Sequence, residues 1–389
     1  MLDPDPLGGA SADAPLESAG AGDLAVLALG ARSLSIRLAG LESEEADRVE
    51  AELRKVGGAI APAANRSAFT LLATGTQCAA LGAALRAQSA AFPAIADRID
   101  QALRARFWRS NRLVKGLHRS FRVGGQTVVM GVVNVTPDSF FDGGQFLEPE
   151  AAVAHAVRLA GEGAGLIDVG GESTRPGAPP VAPEAEWRRV GPVIERLHGR
   201  LEVPISIDTR HAEVAARALE AGADLVNDVA GLRDPAMRRV LARAGAPVIV
   251  MHMRGEPGSM QSDLRYADLR GEVFEALADA CALAESDGLA PEQLLIDPGL
   301  GFGKGPEQNF ELIAHLGEFR SLGYPLVIGA SRKSFLGWAL GGAPPDAREA
   351  AGIAAAVAAA LRGADVVRTH DVRPTVQALA IADRLRGVG

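Results

Sequence analysis

Cysteine, long apolar runs and clustered basic residues are all scarce in this chain of 389 residues. The two cysteines, Cys78 and Cys281, stand far apart in segments with helical patterns, so we expect free thiols in a reducing compartment. No apolar stretch is long enough to cross a bilayer, and the acidic, proline-rich start does not resemble a secretory signal. The formal net charge of -8 and the lack of a Lys/Arg-rich run argue against nucleic acid as a partner. These absences favour a cytoplasmic enzyme that acts on small molecules, with no membrane or nucleic-acid partner.

Several common catalytic signatures are missing as well. There is no Gly-x-Ser-x-Gly elbow, no Gly-x-Gly-x-x-Gly turn opening the first βα unit, and no zinc-ligand spacing. The glycine-rich segment 299–304 lacks the Walker spacing and the Ser/Thr that should follow Lys304, so we interpret it as a flexible loop. His252 is interpreted as a buried histidine with its hydrogen bonds satisfied.

The chain divides into three parts by composition and pattern. Residues 1–22 are Ala, Gly, Pro, Asp and Ser, which predicts a disordered tail. Residues 23–115 predict a small α/β domain of unknown role, in which Ser43 is the expected N-cap of a helix that Gly57 and Gly58 close. Short strands are predicted at 24–29, 33–38 and 69–73, and helices at 76–88 and 93–107. Residues 120–389 form the predicted catalytic domain.

A repeating strand-helix pattern begins at residue 127 and continues to the end of the chain. Its strands are uninterrupted apolar runs, as in a parallel sheet covered on both faces. Their expected ends are Asn134, Gly171–Thr174, Asp208–Thr209, Asn227–Asp228, Met251–Met253, Asp297–Gly299, Ser331–Arg332 and Arg368–His370. Eight such units predict a (β/α)8 TIM barrel of class α/β, preceded by the small α/β N-terminal domain. An open doubly wound sheet is the competing architecture, and it fits poorly without a dinucleotide-binding turn.

Because the carboxyl ends of barrel strands meet at one mouth, their polar residues should converge there. One group suits an anion. Thr174, Arg175, Arg368 and His370 could bind a phosphate or diphosphate, and the Asn134 oxygen is a reasonable Mg2+ ligand beside it. For any one arginine, a surface ion pair is the alternative.

A second group at the mouth suits a flat heterocycle with N–H and NH2 donors. Asp208 and Asp297 can accept hydrogen bonds from such a ring, and the Asn227 amide can both donate and accept. Met253 and Phe302 could pack against a ring face, and Lys333 could donate to a ring carbonyl. The alternative for Asp208 is a helix N-cap, because a helix follows it.

Five segments together resemble one family, dihydropteroate synthase. The resemblance is carried by Asn134–Phe140, Asp168–Gly177, Asp297–Lys304, Ser331–Ser334 and Arg368–His370, in the family's order. It covers about residues 127–386 and leaves the N-terminal domain outside. Phe141 is a mild departure from the family's pattern. The resemblance implies that 6-hydroxymethyl-7,8-dihydropterin diphosphate is condensed with 4-aminobenzoate, releasing diphosphate, in folate synthesis.

The resemblance also implies a role for each matching residue. Asp208, Asn227, Asp297 and Lys333 would hold the pterin, with Asp208, Asp297 and Lys333 as the catalytic set. Asn134 and Asp142 would hold Mg2+, and Thr174, Arg175, Arg368 and His370 would bind the diphosphate. Phe140, Pro176 and Ser334 would frame the aminobenzoate pocket, where sulfonamides compete. Relatives are commonly homodimers, so a homodimer is a further expectation.

With these substrates we expect a dissociative route, because the pterin ring can delocalise the positive charge left when a diphosphate neutralised by Mg2+, Arg175 and Arg368 departs. The lack of a Ser/His or Cys/His nucleophile fits this route. Two alternatives stay open at this point. One is a methyltetrahydrofolate:corrinoid methyltransferase, which needs no diphosphate clamp. The other is a non-catalytic pterin-binding protein, in which the N-terminal domain provides an interaction surface.

Overall fold

The computed structural model describes residues 34–62, 68–88, 92–107, 111–136, 149–173, 179–256 and 258–387. The predicted tail 1–22 and the predicted strand 24–29 therefore lie outside the described residues.

The N-terminal unit is a three-stranded antiparallel sheet with helices. Its strands have the order β1-β3-β2. Its elements are β1 (Leu34–Ala39), α1 (Ser43–Lys55), β2 (Ala59–Pro62), β3 (Ala68–Ala73), α2 (Gly75–Arg86) and α3 (Phe92–Phe107). The Ser43 cap prediction was wrong: the helix begins at Ser43, so Glu42 is the N-cap, and its N–H donates to Glu45 at 2.9 Å. Strand β2 was not predicted, because a strand of four residues is too short to show a recognisable alternation of apolar and polar residues.

The N-terminal unit has an apolar core of its own, which includes the fully buried Leu53, Leu71, Leu81 and Ile99. It also contacts the barrel through an ion pair, in which Arg37 Nη1 lies 3.0 Å from Asp268 Oδ2. Cys78 is buried in this unit and Cys281 in a barrel helix, and both are free thiols, as predicted. Burial raises the pKa of each thiol to about 12.

Eight parallel strands form a closed barrel, which confirms the predicted fold. The strands are β6 (Val128–Asn134), β7 (Leu166–Gly170), β8 (Ile205–Asp208), β9 (Leu225–Asp228), β10 (Val248–Met251), β11 (Leu294–Asp297), β12 (Val327–Gly329) and β13 (Val366–Thr369). They pair in chain order, and β13 returns to pair with β6. A parallel bridge between Ile296 and Leu326 links β11 to β12 and completes the closure.

Helices between the strands cover the outside of the barrel. They are α4 (Pro149–Gly161), α5 (Pro183–His198), α6 (Ala212–Ala221), α7 (Pro235–Ala244), α8 (Leu269–Ser286), α9 (Pro306–Ala314), α10 (Ser334–Ala339), α11 (Glu349–Leu361) and α12 (Val372–Gly387). Short 3-10 turns occupy Pro291–Gln293, Leu316–Leu322 and Pro345–Arg348. Within the described ranges, none of the helices combines the length and apolar character that crossing a bilayer requires.

An unpredicted hairpin closes the amino-terminal end of the barrel. It comprises β4 (Arg112–Lys115) and β5 (Ser120–Val123), and so spans the gap between the two predicted domains. Val114, Phe121 and Val123 pack against interior side chains near the starts of the barrel strands, such as Met130 and Leu166. With this end filled by apolar side chains, only the carboxyl end of the barrel is left for polar chemistry.

Candidate active site

Strand register places the predicted pterin-contacting side chains side by side. Asp208 ends β8 and pairs in register with Asn227 of β9 and with Gly170 of β7. Asp297 ends β11 and pairs with Met251 of β10. All three polar side chains are buried, and buried polar groups need partners. The barrel therefore gathers two carboxylates and an amide from residues spread over 90 positions of the sequence.

Arg368 connects this group to the last strand. Its Nη2 donates to Asp208 Oδ2 at 2.7 Å, and its Nε donates to Asp168 Oδ2 at 2.6 Å. The same Asp168 oxygen accepts from Asn227 Nδ2 at 3.1 Å. The surface ion pair considered for Arg368 is therefore wrong, since its partners are buried carboxylates. Asp208 is not a helix N-cap either, because His211 caps α6.

Burial dominates the electrostatics of these groups. It raises the pKa of Asp208 to about 7, with the nearby Arg368 charge opposing the shift and Asp168 adding to it. Burial also raises the pKa of Asp297, against the charge of Lys333. Two carboxylates with raised pKa values beside fixed cations are typical of a functional site.

Lys333 lies at the mouth as the N-cap residue of α10. Its ammonium group donates to the Leu300 carbonyl at 2.5 Å and stands 4.7 Å from the centre of the Phe302 ring. Burial lowers the pKa of Lys333 to about 8, while the Asp297 charge opposes that shift. The Lys333 side chain is therefore a cation at neutral pH, with a pKa only slightly above that pH. The next residue, Ser334, is exposed as the first residue of α10.

Asn134, the proposed Mg2+ ligand, ends β6 beside the last strand. Its Nδ2 lies 3.5 Å from His370 Nε2, and His370 Nδ1 lies 3.0 Å from Ser331 Oγ. With its nitrogen facing His370, the amide also offers an oxygen, a hard donor of the kind that Mg2+ prefers. Asn134 and His370 thus form a second, more polar side of the mouth.

The glycine-rich loop after β11 is internally braced, contrary to the prediction of a flexible loop. Lys304 is buried, and its Nζ donates to the carbonyls of Gly299 at 2.9 Å and Phe302 at 3.0 Å. It also lies 2.8 Å from His252 Nδ1, which gives that histidine a hydrogen-bond partner as predicted, although the residue is half-buried and not buried. Burial and the Lys304 charge lower the pKa of His252 to about 2, so the ring is neutral. Gly299 adopts φ +69°, and a Cβ there would meet the His252 carbonyl at 2.0 Å, which requires glycine.

Met253 and Phe302 lie in one apolar patch at the mouth. Met253 is 2 % exposed and clusters with Val229, Met251 and Met260, while Phe302 is partly buried against them. The patch offers a flat ring an apolar face beside the carboxylates. The remaining predicted residues, Phe140, Asp142, Thr174, Arg175 and Pro176, lie outside the described residues.

Asp168 is the residue that the sequence analysis missed as part of the site. It is fully buried in the middle of β7, and its Oδ1 has no hydrogen-bond partner among the described residues. The available signal was a carboxylate inside the apolar run Leu166–Gly170, since such a group needs a charged partner.

Comparisons with known proteins agree with this geometry. Residues 130–370 match the family described as Pterin binding enzyme. The chain is 46% identical to a dihydropteroate synthase of Synechocystis over 266 residues, which cover 68% of this chain and 92% of that protein. It is 45% identical to the Escherichia coli K12 dihydropteroate synthase over 255 residues, covering 66% and 90%. The chain belongs to this pterin-binding enzyme family.

Solved structures of the family share the fold. Dihydropteroate synthase from Xanthomonas albilineans, solved with 4-aminobenzoic acid, has a TM-score of 0.68 and 44% identity, and covers 72% of this chain and 100% of that one. The Burkholderia cenocepacia enzyme complexed with 7,8-dihydropteroate has a TM-score of 0.65 and 40% identity, with coverage of 71% and 97%. The family match begins at residue 130, after the N-terminal unit.

Proposed function

We propose that this protein is a dihydropteroate synthase. It condenses 6-hydroxymethyl-7,8-dihydropterin diphosphate with 4-aminobenzoate and releases diphosphate and 7,8-dihydropteroate. The observation that carries the proposal is the group of buried Asp208, Asn227 and Asp297 with half-buried Arg368 and Lys333 at one barrel mouth, in a chain about 45% identical to named synthases.

The buried acids and amide suit the pterin. Its pyrimidine edge presents N–H and NH2 donors, which the Asp297 and Asp208 carboxylates and the Asn227 oxygen can accept. The Lys333 ammonium can donate to the ring carbonyl, and the patch around Met253 covers one ring face. Asp208, Asn227, Asp297 and Lys333 would thereby be paired when substrate binds, which offsets the cost of burying them.

The opposite side of the mouth suits the diphosphate. His370 lies beside Asn134, and Arg368 reaches the mouth from the neighbouring strand end. Thr174 and Arg175 are proposed as further diphosphate contacts, and Phe140, Pro176 and Ser334 as the aminobenzoate pocket. The oxygen donor of Asn134 fits Mg2+, and we propose that Asn134 and Asp142 hold it. When bound, Mg2+ would neutralise part of the diphosphate charge.

We propose a dissociative route. The bond between the exocyclic methylene carbon and the diphosphate oxygen breaks first, and the pterin ring delocalises the resulting positive charge. Asp208 and Asp297 stabilise that cation from fixed positions, and Arg368 orients Asp208. The 4-aminobenzoate nitrogen then bonds to the carbon and loses a proton. No residue need act as a nucleophile.

The activity is tested with the purified full chain, both substrates and Mg2+. The expected result is 7,8-dihydropteroate, identified by mass, that forms only when both substrates are present. A methyltransferase would instead transfer a methyl group from methyltetrahydrofolate to a corrinoid. A non-catalytic binding protein would retain the pterin without forming product. Either of those results would overturn the proposal.

The route has a separate test. Substrate with 18O in the bridge between carbon and phosphorus is incubated with enzyme but without 4-aminobenzoate. If the bond breaks reversibly to a cation, the label should spread to the non-bridging oxygens of the proximal phosphate. A label that stays in the bridge, while full turnover is normal, would contradict the dissociative route.

A cytoplasmic location and a homodimer are further parts of the proposal. The cytoplasmic location is supported by the small-molecule chemistry of the site, and the homodimer is carried over from the family resemblance. Sedimentation of the full chain tests the dimer, for which we expect a mass twice the chain mass of 40.3 kDa.

A further inference from the structure

Two glutamates and a histidine form a cluster beside the mouth, separate from the groups assigned above. Glu172 follows β7, Glu186 lies on α5, and His211 is the N-cap of α6. One ligand atom from each lies within 4.8 Å of the other two. We call these three residues the Glu172 cluster.

Glu186 requires an explanation because it is fully buried without a hydrogen-bond partner. Its exposure is 0%, and neither carboxylate oxygen has a partner in hydrogen-bonding geometry among the described residues; the Thr209 hydroxyl is near enough to favour the charged form without making such a bond. The Nε2 atom of His211 is buried and equally without one. Leaving a carboxylate desolvated and unpaired is costly, so such groups normally hold a proton or a cation.

The spacing leaves room for an ion between the three side chains. His211 Nε2 lies 3.8 Å from Glu172 Oε2 and 3.9 Å from Glu186 Oε2. Two ligands that are each about 2.1 Å from a Zn2+ ion stand at most about 4.2 Å apart. Both separations fall below that limit, and the two glutamates lie within 4.8 Å of each other, so small rotations would let one ion contact all three side chains.

The surroundings of Glu172 fit the outer partners of a metal ligand. Arg210 donates to both oxygens of Glu172 at 3.0 Å, and the Val181 N–H donates to Oε1 at 3.0 Å. Ligating carboxylates are commonly fixed by such hydrogen bonds. The Arg210 guanidinium is one positive charge beside the two carboxylates of Glu172 and Glu186. The excess negative charge could be compensated by a divalent ion.

We propose that Glu172, Glu186 and His211 bind one divalent transition-metal ion of the Zn2+ class. An imidazole nitrogen with two carboxylate oxygens favours Zn2+ over Mg2+, which prefers an all-oxygen shell. The ion would join Glu172, at the start of the loop after β7, to His211, which follows Thr209 by two positions and Asp208 by three. Its role would be structural, holding the end of β8 and this loop together.

The test uses the full metal-free chain titrated with Co2+, which takes Zn2+ ligands and absorbs visible light. Excess Mg2+ is present so that any Mg2+ site is occupied. The expected result is one saturable Co2+ per chain that Zn2+ displaces and Mg2+ does not. Zn2+ at about 100 times its Kd should also raise the melting temperature by roughly 5 °C.

Two variants locate the site, and one serves as a control. Glu186→Gln and His211→Gln should both lose saturable binding while circular dichroism shows the native fold. Glu184→Gln changes an exposed glutamate on the same helix and should bind normally. Absence of saturable binding would overturn the proposal and leave a neutral carboxyl at Glu186, whose pKa burial raises to about 8 against the opposing Thr209 hydroxyl. Binding that survives both ligand variants would overturn it too.

Discussion

Arg368 donates to Asp208 across the barrel mouth at 2.7 Å, although the two residues are 160 positions apart in sequence. The contact places a fixed positive charge against a buried carboxylate that would otherwise be protonated near neutral pH. Asp208 can then act as an anion towards the pterin. The relationship therefore links the closure of the barrel to the proposed chemistry.

Asp208→Asn should lower kcat by a larger factor than it weakens the binding of diphosphate. The amide keeps the shape of the side chain but removes the charge that stabilises the cation, which should lower kcat on the order of 100-fold. Steady-state kinetics and calorimetric titration of diphosphate check the two effects. Asp263→Asn, at an exposed acid, is the control. Near-normal kcat in Asp208→Asn would count against the cation-stabilising role.

Asp168→Asn should act through Arg368 and Asn227, which both donate to Asp168 Oδ2, and not on substrate directly. Without the Asp168 charge the guanidinium loses its second anchor, and a misplaced group can lower kcat/KM on the order of 10-fold to 100-fold. Combining Asp168→Asn with Arg368→Gln should cost less than the sum of the two separate losses, because both substitutions remove the same contact. Losses that simply add would show that the two residues act independently.

The pH profile of kcat/KM should have two limbs. Asp208 is active as an anion, which forms as pH rises through its pKa of about 7. Lys333 is active as a cation, which is lost as pH rises through its pKa of about 8. The profile should therefore rise below pH 7 and fall above pH 8. A flat profile from pH 6 to 9 would be inconsistent with both assignments, and residual activity in Lys333→Gln should lack the alkaline limb.

Asp224→Ala should destabilise the fold by about 3 to 5 kcal/mol. Asp224 is fully buried and accepts from the backbone of His118, Arg119 and Ile205, besides pairing with Arg119 Nε at 2.9 Å. Its loss would leave these donors unpaired where the hairpin meets the barrel. Urea unfolding measures the change. Asp234→Ala removes an exposed helix cap and should cost only about 1 kcal/mol; equal losses would refute this role for Asp224.

The barrel could be predicted because each of its strands has a recognisable local sequence pattern. Val128–Asn134 is an unbroken apolar run that ends in a polar residue, and the same pattern recurs at each strand end. Asp208, Asn227 and Asp297 could therefore be placed at one mouth. The Asp168–Arg368 contact could not, because it joins residues 200 positions apart and depends on how the closed barrel orients their side chains. The hairpin at 112–123 was missed since four-residue strands carry little pattern.

The most direct measurement is diphosphate release by the full chain, with and without 4-aminobenzoate, in parallel with product formation. The account predicts that adding 4-aminobenzoate produces steady release, with one diphosphate for each 7,8-dihydropteroate, and that Asp208→Asn lowers both rates together. No release above the enzyme-free rate, or release that leaves no pteroate product, would contradict it.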